Sequence, residues 1–63
     1  MTTLNTAPNL ENPDTFYEAL LKAHDDLTLE ETHAFNARLV LILANHIGDP
    51  IVLNQALNAA RKR

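Results

Sequence analysis

Residues 29–48, LEETHAFNARLVLILANHIG, decide the fold of this chain, because their pattern is apolar around most of a helix. At a helical step of about 100° per residue, the pattern fills two sides of the predicted helix. One side holds Phe35, Leu39, Ile42, Leu43 and His46, and the other holds Ala37, Val40, Leu41, Ala44 and Ile47. The apolar arc spans about 260°, whereas an ordinary surface helix buries a stripe a little over about 100° wide. The sequence therefore predicts a central helix that is covered from more than one side.

A narrow polar seam interrupts this arc and consists of Glu31, Arg38 and Asn45, spaced at i, i+7 and i+14. That spacing places the three side chains on a line nearly parallel to the helix axis. In one interpretation Arg38 pairs with an acid of its own chain, such as Glu31, Asp25 or Asp49, while its stem packs on the core. In the other, the polar seam binds a partner protein, since the planar guanidinium grips a carboxylate at two points.

His46 lies among the apolar positions, with Asn45 beside it and Asp49 less than one turn further on. The pattern favours a core or interface histidine that bonds a carboxylate or a backbone carbonyl through one ring nitrogen. A metal site at a dimer axis would need further ligands from a second chain, and neither a metal nor a cofactor is expected. The candidate partner-binding residues are Glu31, Arg38, Asn45, His46 and Asp49.

The first helix is predicted over residues 13–26, where Asn12 caps the start, Pro13 suits the first helical position and Asp14 favours the positive helix end. Residues 1–12 carry no periodic apolar pattern and are expected to form a flexible lead-in, pinned at most by Leu4 or Leu10. Residues 13–63 are then a single helical domain.

Two strong boundary signals delimit the central helix. Thr28 and Glu31 have the spacing of a capping box, and Gly48 is suited to the left-handed conformation just past a helix end. Asp49 and Pro50 at once offer a new cap and a new first position, so a third helix is predicted over residues 50–61. Short connections favour antiparallel neighbours, which gives an all-α fold of three helices, up-down-up, around a long central helix.

The chain is short for a self-sufficient core. Sixty-three residues bury only about 60% of the unfolded surface, and with no cysteine the chain has no disulfide to stabilise it. Two flanking helices would also leave part of the apolar arc of the central helix exposed to water. We therefore expect a twofold homodimer in which the central helices of the two chains meet and form a bundle of six helices, with burial against a larger protein as the alternative.

Charge is distributed unevenly along the chain. Residues 1–31 carry Lys22 as their only base and hold these acids: Glu11, Asp14, Glu18, Asp25, Asp26, Glu30 and Glu31. In the remainder, Asp49 is the only acid, and the bases are Arg38, Arg61, Lys62 and Arg63. This asymmetry favours contact between the two ends, within a chain or between antiparallel chains.

Composition argues against several function classes. A net charge of −3 and three terminal bases argue against nucleic-acid binding. The apolar run of residues 39–47 is far shorter than the roughly 20 residues that cross a bilayer. The first residues show no signal-peptide pattern, so a cytoplasmic location is expected. The chain has neither Cys nor Ser and shows no arrangement of nucleophile and base, so we do not expect an enzyme.

Two stretches carry a resemblance to a known family. NARLVLILANHIGD at 36–49 and FYEALLKAHDDLTLEE at 16–31 resemble a family of short bacterial proteins known only as domain of unknown function 2783. The resemblance covers about residues 9–60. Such proteins are similar to ones encoded near flavin-dependent hydroxylases of aromatic catabolism, which implies an accessory role.

A fainter similarity lies in residues 27–48, through the Glu-Glu start, Ala37-Arg38 and the Asn45-x-x-Gly48 ending. These features resemble the small helical subunit of protocatechuate 4,5-type extradiol dioxygenases, which covers the active site of a larger catalytic subunit. The leading hypothesis is a non-catalytic, homodimeric interaction module, linked to an oxidoreductase of aromatic breakdown. The alternative is a small subunit of a metal- or flavin-dependent oxygenase that covers the active site of a larger chain.

Overall fold

The computed structural model describes residues 3–62 and contains three helices: α1 (Pro13–Ala23), α2 (Leu29–Ile47) and α3 (Pro50–Arg61). No strand occurs in these residues. The predicted all-α fold with a long central helix is therefore confirmed. Both predicted starts that place proline at the first helical position, Pro13 and Pro50, are also correct.

The first helix begins and ends differently from the prediction. Asn12 does not cap α1 with its side chain; its backbone is left-handed, with φ 52°, and its carbonyl accepts from the N–H of Thr15 and of Phe16. The residue before a proline is disfavoured in the right-handed α region, and Asn tolerates the left-handed one. The side-chain cap at Asn12 was therefore wrong, although the helix starts where predicted.

The end of α1 falls at Ala23 rather than at residue 26. The N–H groups of His24 and Asp25 each donate to the carbonyl three residues earlier, and Asp26 then has a left-handed backbone with φ 65°. This tightened last turn followed by a left-handed residue is a common way for a helix to stop. Residues 24–28 consequently form a turn and a short extended link into α2.

The capping box and the glycine that were predicted from the sequence are found at the two ends of α2. The N–H of Glu31 donates to Oγ1 of Thr28 over 3.1 Å, and the N–H of Thr28 donates to Oε1 of Glu31 over 2.9 Å. At the other end Gly48 has φ 74°, and its N–H donates to the carbonyl of Ala44. Asp49 caps α3, since its Oδ1 accepts from the N–H of Ile51 over 2.9 Å.

The helices pack loosely. No Cα atom of α1 lies within 8 Å of a Cα atom of α2 or α3 in the described chain, whereas α2 and α3 approach each other more closely. The radius of gyration is 13.5 Å, and a compact chain of this length would have about 11 Å. Within residues 3–62 no side chain is fully buried. The single chain is thus an open arrangement without an enclosed core.

None of the three helices is both long enough and apolar enough to cross a lipid bilayer.

Candidate interaction surface

The predicted polar seam lies on the outside of α2. Glu31, Arg38 and Asn45 are all exposed, and the regular helix from Leu29 to Ile47 keeps them on one line. Glu31 is engaged in the capping box. Among residues 3–62 no acid forms an ion pair with Arg38, so the pairing within the chain is not observed. The guanidinium is consequently available at the surface.

The other two candidate residues stand apart from the polar seam. His46 is exposed in the last turn of α2, about 60° to 100° around the helix from the three residues of the seam. The core interpretation of His46 is therefore not seen in the single chain, and the interface interpretation stays a prediction. Asp49 is half-buried at the turn into α3, where it caps that helix. Of the candidate residues, the structure thus aligns only Glu31, Arg38 and Asn45 along one face of α2.

Two large apolar side chains flank the polar seam. Leu41 is 69% exposed on one side of it, and Ile42 is 64% exposed on the other. The prediction that the single chain leaves part of the central helix wet is therefore confirmed. A guanidinium between two exposed aliphatic side chains suits recognition of a protein surface, because it combines apolar contact with a directional charge.

An open apolar groove lies between α2 and α3, on the side of α2 opposite the polar seam. Its volume is about 450 Å³. The α2–α3 groove is lined by Val40, Leu43, Ala44, Ile47, Leu53, Ala56, Leu57 and Ala60. None of these side chains carries a polar atom, so the groove has no donor or acceptor side chain to orient a polar substrate. Apolar burial is what this surface can provide.

His24, just beyond α1, provides a link between the first two helices that sequence reasoning missed. Its ring donates through Nδ1 to the carbonyl of Leu20 over 2.8 Å, and its Nε2 lies 3.2 Å from Oδ1 of Asn36. The ring also meets Phe35 edge-on at 4.9 Å. The sequence pattern placed Phe35 on an apolar side of α2, but only the turn at residues 24–28 brings His24 against it.

The lead-in also contacts the helical part. The N–H of Leu4 donates to Oε1 of Gln55 over 2.7 Å, and Leu4 is half-buried. This hydrogen bond holds the chain before α1 against one face of α3. Gln55 is not among the lining residues of the α2–α3 groove. The lead-in at Leu4 therefore leaves the groove open.

The polar side chains of residues 3–62 are not gathered into a metal-binding cluster. No group of three or more His, Asp or Glu side chains in this part of the chain is arranged to hold a metal ion. No buried side-chain polar atom there lacks a hydrogen-bond partner. The α2–α3 groove, the polar seam and the apolar side chains that flank it are the candidate interaction surfaces.

Comparison with known proteins identifies a family for this chain. The family model described as "Protein of unknown function (DUF2783)" matches residues 4–62. No curated protein and no solved structure matches the chain, so the fainter similarity to a dioxygenase small subunit gains no support. Because the family model covers nearly the whole sequence, the chain belongs to this family of proteins of unknown function.

Proposed function

We propose that this protein is a non-catalytic interaction module that works as a homodimer. The observation that carries the proposal is the amount of surface that the single chain exposes. Its accessible surface is 5897 Å². A compact monomer of 7.0 kDa would expose only about 4000 Å². The chain therefore leaves roughly 1900 Å² uncovered that a protein of its size normally buries.

This excess matches what a stable dimer needs. Obligate homodimers bury about 2000 to 5000 Å² in total, counted over both partners. If half of the excess surface belongs to the extended lead-in, the two chains together still have about 1900 Å² of surface to bury in a dimer interface. This area is close to the lower end of that range. Exposed apolar patches larger than a few hundred Å² mark interaction sites in soluble proteins. Self-association explains the open shape without requiring another protein.

Sedimentation equilibrium of the purified chain tests the dimer over micromolar to millimolar concentrations. We expect a mass of twice the 7.0 kDa chain. The helical circular-dichroism signal should melt at a higher temperature as the concentration rises, because association stabilises the folded state. A well-folded species of 7.0 kDa at every concentration would contradict the proposal.

In the proposed dimer the polar seam stays on the outer surface and serves to recognise another protein. Arg38 is the reason, since it has no acid partner within residues 3–62 and is bordered by Leu41 and Ile42. We expect Arg38→Ala to keep the dimer and to weaken binding of the recognised protein. We propose that the recognised protein is an oxidoreductase of aromatic breakdown. Purified enzymes of this class are the probes for the binding experiment. If Arg38→Ala bound the other protein as tightly as the wild type does, the polar seam would not be the recognition surface.

A second candidate function is favoured by the same exposed faces. As the small subunit of a metal- or flavin-dependent oxygenase, the chain would cover the active site of a larger catalytic subunit. That candidate predicts a poorly packed chain when it is alone and a defined mass only together with the larger subunit. Sharp, dispersed amide signals in the NMR spectrum of the isolated chain would favour the homodimer instead.

A further inference from the structure

The two walls of the α2–α3 groove repeat one pattern. The α2 wall carries an apolar stripe at positions 40, 43, 44 and 47, and the α3 wall carries one at 53, 56, 57 and 60. Both follow the spacing i, i+3, i+4, i+7, which places four side chains on one face of a helix. Helices with such stripes bury them by packing side by side. One chain thus presents two walls of a helical core that it does not fill.

No described segment of the same chain fills the groove. The Cα atoms of α1 stay more than 8 Å from those of α2 and α3 within residues 3–62. Leu4 is bonded to Gln55, which lies about 150° around α3 from the centre of the groove stripe. The occupant must therefore come from another molecule, or the groove remains in water.

We infer that the occupant is α3 of a second copy, seated reciprocally so that α2 and α3 of both chains form a four-helix core. This inference rests on the proposed homodimer and specifies its contact face. A twofold axis places the apolar stripe of α3 against the same stripe of the second chain, and the two α3 helices run antiparallel. Leu53 of one chain then faces Ala60 of the other, and Ala56 faces Leu57. Each contact pairs a large side chain with a small one, which lets the two stripes interlock.

The lining chemistry supports this occupant. Two stripes from each chain give sixteen side chains, all aliphatic, in one shared core. Ala44, Ala56 and Ala60 allow the helices to approach closely. In this arrangement α1 stays outside the core and is joined to α2 through His24, in keeping with its distance from the other helices.

The test compares two neighbouring alanines of α3. Ala60 lines the groove, whereas Ala59 does not, and both are exposed in the single chain. Ala60→Glu places a carboxylate in the inferred core, which we expect to raise the dimer dissociation constant by at least about 100-fold. Ala59→Glu adds the same charge to the same helix turn, and we expect a change of less than about 3-fold. Circular dichroism on both variants verifies that the helices persist.

A cross-link tests the register and still applies if Ala60→Glu does not fold. The chain has no cysteine, and a disulfide between neighbours in sequence is strained, so a bond from introduced cysteines is expected between two chains. The double variant Ala56→Cys, Leu57→Cys should oxidise to a covalent dimer, because these positions face each other across the axis. The matched pair Asn58→Cys, Ala59→Cys lies off the groove and should oxidise to a covalent dimer at least about tenfold more slowly.

The outcomes separate this inference from the proposed function. A wild-type chain that is monomeric at all concentrations would overturn both. A wild-type dimer that Ala60→Glu leaves intact, or equal cross-linking by both cysteine pairs, would keep the homodimer and overturn the groove as its contact face. Loss of the dimer in Ala60→Glu alone, together with selective cross-linking at positions 56 and 57, would establish the four-helix core.

Discussion

The imidazole of His24 meets the ring of Phe35 edge-on, with ring centroids 4.9 Å apart and ring planes at 73°. The edge-on geometry brings the positive edge of one ring to the negative face of the other. Nδ1 of the same imidazole donates to the carbonyl oxygen of Leu20. The backbone N–H of His24 donates to the carbonyl oxygen of Leu21, so it does not make the usual helical hydrogen bond to Leu20. One side chain thus completes the end of α1 and joins it to α2.

His24→Ala is expected to release α1 from α2. The substitution removes a hydrogen bond and an aromatic contact at a half-buried site, which together are worth about 1 to 2 kcal/mol. Because α1 has no Cα atom near the other helices in the described chain, the amides of α1 should exchange with solvent faster while those of α2 remain protected. Hydrogen exchange followed by NMR measures both sets.

His33→Ala is the matched control, since His33 is an exposed histidine on α2. It should leave the exchange of α1 amides unchanged. If His24→Ala and His33→Ala gave the same exchange pattern, the link through His24 and Phe35 would not be what holds α1 in place.

Helix ends were the part of the fold that sequence reasoning recovered best. Thr28, Glu31, Gly48 and Asp49 act on backbone groups within a few residues, so their spacing alone predicts what they bond. The end of α1 was missed because Asp26 carries no comparable signal. Its left-handed backbone follows from how the turn carries the chain into α2.

Thr28→Ala removes one half of the capping box. The N–H of Glu31 loses its acceptor at Oγ1, and the expected loss in the free energy of unfolding is about 1 kcal/mol. Urea denaturation followed by circular dichroism measures the change. Thr28→Ser keeps the hydroxyl and should stay within a few tenths of a kcal/mol of the wild type. A Thr28→Ser variant as unstable as Thr28→Ala would exclude the capping bond as the cause.

Gly48→Ala tests the turn between α2 and α3. The left-handed φ of 74° is strained for a residue with a side chain, and the expected cost is about 1 kcal/mol. An added Cβ would come no closer than 3.7 Å to the carbonyl oxygen of Asn45, so strain rather than collision is the cause. Gly48→Asn, which tolerates this conformation better, should cost less. Equal thermal melts for Gly48→Ala and the wild type would contradict a left-handed Gly48.

The candidate site was predicted less completely than the helix ends. The polar seam follows from helical spacing, and the structure places Glu31, Arg38 and Asn45 on one exposed line of α2. The α2–α3 groove depends on the angle at which two helices leave a two-residue turn, which no local pattern encodes. Hydrogen bonds such as that from Leu4 to Gln55 join residues distant in sequence and carry no periodic signal.

Leu39→Ala measures how much the central helix is covered on its inner side. Leu39 is half-buried in the single chain, on the side of α2 that carries Phe35. Because part of its surface is already in water, we expect a loss of about 2 kcal/mol, near the lower end for buried leucines. Leu41→Ala removes the same atoms from a residue that is 69% exposed beside the polar seam, and it should cost less than about 0.5 kcal/mol. Thermal melts of both variants at one fixed concentration give the comparison. A larger loss for Leu41→Ala than for Leu39→Ala would mean that the assembled protein covers the side of α2 that carries the polar seam.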